Sequence, residues 1–131
     1  MKPEAQYIIR YWFEWAAECF WSVNDAARER FGYAIIPEAL PLSAQTIELV
    51  NELISWHDHA LNWEYPPDPG PWRQEECDRF NQAARNLLAT IRQELGEQFE
   101  VIDDFVEEVE DPELDAYLQD PQGFVRQKQI D

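Results

Sequence analysis

The chain has 131 residues, 27 acidic against 10 basic, giving a formal net charge of −17 and a pI near 4.2. A field of that sign repels a phosphate backbone, so direct binding of DNA or RNA is excluded as an expectation, while basic proteins are attracted. With 45% hydrophobic residues, including six Trp, five Tyr and seven Phe, one domain can bury a ring-rich core without metal or disulfides.

Glu4, Glu14 and Glu18 interrupt the amino-terminal stretch, which therefore predicts neither a signal peptide nor a membrane span, and a cytoplasmic protein is expected. From Tyr7 to Trp15 apolar and polar residues alternate, with Tyr7, Ile9, Tyr11, Phe13 and Trp15 on one side, and period two predicts a strand. An apolar helix running through Trp21 is the competing reading. Ser22, three residues before Asp25, resembles a capping box opening a short helix through Phe31, with Arg28 and Arg30 in its last turn and Gly32 as its stop. A short extended piece is expected at Tyr33 to Ile36, inside a loop bracketed by Pro37 and Pro41.

Ser43 then caps a helix predicted to reach Asn62, with Leu42 and Ile47 spaced as a hydrophobic staple. Ile47, Val50, Ile54, His57 and Leu61 form its inward stripe, widened by Leu53, Trp56 and Ala60. The run WEYPPDPGPW breaks it, because four prolines and a glycine forbid regular hydrogen bonding. A second helix is predicted from Arg73 to Leu95, with Phe80, Ala84, Leu87, Leu88, Ile91 and Leu95 on one face and Gly96 as its stop. Phe99 to Phe105 reads as a strand that pairs with the first, and Pro112 to Leu118 as another short helix. The fold class is α+β: a small antiparallel or mixed sheet from the amino-terminal and post-helix strands, with two long helices and one short one packed on it. Residues 1–110 are expected to form the single domain, and 111–131 an acidic extension whose last ten residues fray.

No motif demands a particular chemistry. His57 and His59 spell HxH, but neighbours two apart on a helix diverge by about 200°, so they cannot easily share a metal, and no metal or other cofactor is expected. Cys19 and Cys77 are far apart and read as reduced, buried thiols; one of them beside His57 would be a nucleophilic pair lacking any local signature. Asp103 and Asp104 point to opposite faces if they lie in a strand, and the four glycines form no phosphate-binding pattern. No catalytic residue is assigned. The aromatic stripe of the first strand reads either as core or as a cage for cationic ligands.

Two features rise above this background. Residues 93–125 contain twelve acidic residues and no Lys or Arg, so Glu100, Asp103, Asp104, Glu107, Glu108, Glu110 and Asp111, followed by Glu113, Asp115 and Asp120, are candidates for a face that docks a basic partner. A solvated tail is the alternative. The proline-rich loop adds Trp63, Tyr65 and Trp72 as candidate anchors on a rigid connection.

The blocks RYWFEW, WSVNDAARERFGY, LPLSAQT, LNWEYPPDPGPW and FNQAARNLLATIRQELGEQFEVID resemble a set of small acidic bacterial proteins without assigned function. By size and acidity the chain is also similar to immunity proteins of bacterial toxin systems. That likeness implies a non-catalytic inhibitory protein, an immunity protein or antitoxin covering a basic toxin surface. Two alternatives stand beside it: a small-molecule-binding or enzymatic domain with a pocket between the aromatic strand and the helices, using His57, and an adaptor that forms a homodimer through a strand edge. No membrane partner is expected.

Overall fold

The computed structural model describes residues 4–124. In chain order it contains β1 (Tyr7–Tyr11), β2 (Phe20–Ser22), α1 (Asp25–Phe31), β3 (Ala34–Ile35), α2 (Ala44–Asp58), α3 (Gln74–Leu95), β4 (Phe99–Asp103) and α4 (Leu114–Gln119). The sheet order is β3-β2-β1-β4, with β1 antiparallel to β2 and parallel to β4, Tyr7 facing Phe99 and Tyr11 facing Asp103. This is the expected α+β fold with a mixed sheet. Parallel neighbours need a crossover, and here everything from β2 to α3 supplies it.

Period-two alternation explains which face is covered. Ile9 and Tyr11 are fully buried, joined by Phe20, Ile35, Phe99 and Val101 in the core beneath the helices. The buried stripe of α3, from Cys77 and Phe80 through Ala84, Leu87 and Ile91 to Leu95, lies against them, and the Tyr11 hydroxyl donates to the Ala84 carbonyl at 2.8 Å. Phe31 of α1 packs against Tyr7 and Phe99.

Several boundaries differ from the sequence reading. The first strand stops at Tyr11 rather than Trp15, and the competing helix through Trp21 does not form, because Phe20–Ser22 is a strand. Past Tyr11 the chain continues as an irregular ribbon, Trp12 donating to the Cys19 carbonyl at 2.9 Å. Its alternation persists because Phe13 still turns inward, against Tyr11 and Phe80. The turn holds Ala16 at a φ of 55°, a left-handed conformation unusual for alanine, and Asp58 accepts its N–H at 2.8 Å.

Ser22 is not the cap of α1. It sits in β2 and its hydroxyl donates to the Gly32 carbonyl, while the Asn24 side chain accepts from Ala27 and from Ile8. Gly32, at a φ of 80°, does end the helix. The second helix ends at Asp58 rather than Asn62, and the last strand at Asp103 rather than Phe105. The short helix expected at Pro112 to Leu118 forms over Leu114–Gln119, and Leu114 is fully buried. Most of the stretch expected to fray lies outside the described residues.

Ser43 caps α2 as its spacing predicts, accepting the Thr46 N–H at 3.1 Å. The cap is completed from α3, where Glu94 accepts from the Ser43 N–H at 2.7 Å and from the Thr46 hydroxyl at 2.6 Å. These hydrogen bonds hold the Glu94 carboxyl below the usual carboxylate range. A folded pKa below the unfolded one stabilises at pH above the carboxylate range and is lost as pH falls through it. Glu94→Gln should therefore lower the melting temperature near pH 7, and the gap to the parent should close as pH falls toward about 3. Circular-dichroism melts across that range check this; a gap independent of pH would contradict it.

Candidate functional site

The two sequence features meet along α3. The proline-rich loop is a built structure: Asn62 donates to the Pro69 carbonyl and accepts from the N–H groups of Glu64 and Tyr65. Trp63 donates to the Asp58 carbonyl at 2.6 Å. Pro69 is fully buried, and Gly70 runs so close to the turn that follows α2 that an added Cβ would lie 2.0 Å from the Ala60 carbonyl oxygen. Trp72 is buried against Trp56 and Phe80, whereas Trp63 and Tyr65 are 54% and 52% exposed.

The acidic segment after β4 is strapped down the same helix. Asn81 donates to the Glu108 carbonyl at 2.9 Å and accepts the Glu108 N–H at 2.8 Å, a two-point clasp on one peptide residue. At the first residue of the helix, Gln74 accepts the Glu110 N–H, and the Glu110 carboxylate accepts the Gln74 N–H at 2.9 Å. Arg73 at the N-cap position makes no side-chain cap, so Glu110 supplies one from a distant part of the chain and places its charge at the positive helix end. Arg73 also pairs with Glu110 and Asp115, and Arg85 with Glu107.

Beneath the strap lies His57, 3% exposed, stacked on Trp15 at 4.9 Å and ringed by Phe13 and Phe80. Its Nε2 meets a Glu108 carboxylate oxygen at 2.9 Å. His59 faces solvent. The space between the aromatic strand and the helices is thus filled by rings, leaving a cavity of about 210 Å³ bordered by His57, Trp15 and Glu108. Cys19 and Cys77 are both free and buried. Burial, then the charges of Glu108, Asp78 and Glu110, push the Cys77 thiol up to about 11, and burial raises Cys19 well above its ordinary value, so both stay protonated at neutral pH, unlike activated nucleophiles. Among the described residues no group of three His, Cys, Asp or Glu side chains gathers as a metal site, and no helix is long and apolar enough to cross a membrane.

Between loop and strap opens a cleft of about 690 Å³, lined by Trp15, Ala60, Pro66, Pro67, Asp68, Trp72, Glu108, Val109, Asp111 and Glu113 among others. Of the docking candidates singled out in the sequence, Glu108, Asp111, Glu113 and Trp72 share this lining, with Trp63 and Tyr65 on the loop that forms one wall. Glu107 and Glu110 belong to the same strap. Glu100, Asp103 and Asp104 lie on and just beyond β4, outside the lining, Asp104 paired with Arg10 at 2.7 Å. Asn62, Gln74, Asn81 and Asp68 were missed. Asn81 carried a signal: it interrupts the apolar stripe of α3, and a buried amide requires partners.

A family model described as Serratia CdiI immunity protein-like matches residues 7–104, and no curated protein matches the chain. The matched span contains α3 with its clasping amides, and the strap begins beyond it. Asn81→Ala should free the Glu108 peptide and cost about 1–3 kcal/mol, since the groups left behind are partly buried. Urea unfolding should show the lower midpoint, and hydrogen exchange at the Glu108 amide should quicken; an unchanged midpoint with unchanged exchange would rule the clasp out as a fastening.

Proposed function

We propose, because the chain belongs to the Serratia CdiI immunity protein-like family, that it is an immunity protein of contact-dependent growth inhibition: it binds a toxin protein, keeps it inactive and catalyses no reaction itself. The family match over most of the chain carries this reading. The charge of −17 supports its finer part, that the toxin surface is basic, because a large single-sign field raises the rate of encounter with an opposite one.

Contact falls to Glu100, Asp103, Asp104, Glu107, Glu108, Glu110 and Asp111, with Trp63 and Tyr65 as anchors and Trp72 holding the loop that carries them. The two exposed rings ride on a loop already fixed by Asn62, Pro69 and Gly70, so little conformational freedom is lost when they are covered. Acidic side chains already engaged inside the chain, Glu107 with Arg85, Asp104 with Arg10, Glu110 with Arg73 and Glu108 with His57, contribute mainly to the long-range field.

Where a toxin-like reading frame lies beside its gene, co-expression with it should restore growth, and the two proteins should co-purify; continued growth arrest together with failed capture would overturn the immunity reading. Neutralising Glu100→Gln, Asp103→Asn, Glu107→Gln and Asp111→Asn should slow association about tenfold at low salt and flatten its salt dependence, with a smaller change in dissociation. Stopped-flow kinetics measure this, and an unchanged rate would remove the acidic face from the contact.

A further inference from the structure

The face of the sheet turned away from α2 and α3 carries the wrong residues for a surface in water. A sheet covered on one side alternates apolar residues inward with polar residues outward. The inward set obeys this rule, and Ile9, Tyr11, Phe20 and Ile35 join the core with the helices. The outward set does not. Arg10 is in register with Ile102 on one side and Trp21 on the other, Ile8 with Glu100, and Trp21 with Ala34, so two isoleucines and a tryptophan surround a single arginine. Trp12, just past β1, and Tyr33, just before β3, extend the row, their rings 6.1 Å and 5.4 Å from that of Trp21. Among the described residues, none of Ile8, Trp12, Trp21, Tyr33 and Ile102 belongs to the core cluster or packs against it. Tyr33 is 58% exposed and Ile36, at the end of β3, 53%. A contiguous apolar patch with a polar border marks a contact surface more than a solvated one.

We propose that this open sheet face is the apolar centre of the toxin contact, an inference that rests on the immunity reading: it receives a flat apolar patch of the toxin bordered by a lysine or arginine that meets Glu100. The face is braced before anything binds. The Trp21 indole N–H donates to the Trp12 carbonyl at 2.7 Å, and the Arg10 guanidinium is held by Asp104 at 2.7 Å and stands 5.1 Å from the centre of the Trp12 ring. Tryptophan, tyrosine and arginine in fixed positions are the residues on which contact energy concentrates, and little of their freedom remains to be lost. The acidic contact residues form the border, Glu100 on β4 and Asp104 just beyond it. At the other end Trp12 borders the same small cavity as Val106 and Glu107, so the apolar surface runs onto the strap, where Val106 is 67% exposed. A second copy of the chain fits this face badly, because it brings another charge of −17 and its own Glu100 border against the first. A basic partner brings the opposite sign. The border then sets the rate of encounter, and the ring row, once water is excluded, sets the rate of escape.

The test uses the full chain and the toxin it co-purifies with. Ile8→Thr with Ile102→Thr removes apolar surface from the face, keeps the β-branching that suits a strand and leaves the charge unchanged. Dissociation should quicken about tenfold while association stays within about twofold, the opposite of what neutralising the acidic border does. A melting curve close to the parent's shows that the double variant folds. Hydroxyl-radical footprinting of the unaltered complex needs no variant, and Tyr33, Ile36 and Val106 should be protected relative to the free protein. A toxin released at the parental rate by the double variant, or a complex in which these three residues stay reactive, would place the contact elsewhere and leave the immunity reading standing. Sedimentation velocity of the free protein should give a monomer; a dimer that the double variant separates would assign the face to a second copy and overturn the proposal. Growth arrest unrelieved by co-expression, with no toxin captured, sinks the immunity reading and this contact with it.

Discussion

The parallel pairing of Tyr7–Tyr11 with Phe99–Asp103 is the constraint on which the rest of the molecule depends. Two parallel neighbours cannot be joined by a tight turn, so the chain must leave the sheet, cover one face and return, and α2 and α3 are that cover. Their packing is locked at two places by single side chains reaching across elements: the Tyr11 hydroxyl onto the Ala84 carbonyl, and Glu94 onto the start of α2. Because β4 follows α3 directly through Gly96, at a φ of 69°, the segment leaving β4 comes back alongside α3. The acidic strap is a consequence of that return.

Charge sets the second limit. With ten basic residues against 27 acidic ones, the chain cannot neutralise itself, so where its arginines sit decides where negative potential survives. Arg10, Arg73 and Arg85 are placed on the strap or its approach, at Asp104, Glu110 and Glu107. Arg92 instead donates to the Val101 carbonyl beside the outer edge of β4, and such a charged cover guards an edge strand against adding another. A homodimer built through that edge would have to displace it.

Elements with strong periodicity were legible. The α3 stripe, the Ser43 cap and the Gly32 and Gly96 stops all follow from local patterns, and the structure places them as expected. The turn after β1 was not legible, because the left-handed Ala16 is held by Asp58, 42 residues away, and no local glycine announces it. The exchange of roles between Ser22 and Asn24 has the same origin: Ser22 was claimed by the sheet, where its hydroxyl serves the Gly32 carbonyl, and that left Asn24 to cap. For the site, composition exposed the acid and the aromatics but not their meeting, since what brings Glu108 beside Trp15 is an amide on α3 that reads in isolation as one polar residue on an apolar face.

That fastening by amides has an electrostatic consequence. A strap of carboxylates can be held by cations, as Arg73 and Arg85 hold Glu110 and Glu107, and each such pair offsets part of the charge it secures. Asn81 holds the Glu108 peptide through its backbone, so that fastening does not draw on the Glu108 carboxylate, which meets His57, while Glu110 is held both through its N–H to Gln74 and through its carboxylate. Carboxylates from two walls are thereby kept facing one cleft despite their mutual repulsion. Carboxylates fixed in this way cannot spread apart as they would on a flexible tail, so the repulsion between them persists in the free protein. The rigid loop opposite completes the condition. A surface built this way keeps its shape and its charge in one fixed arrangement, so geometry as well as sign defines it.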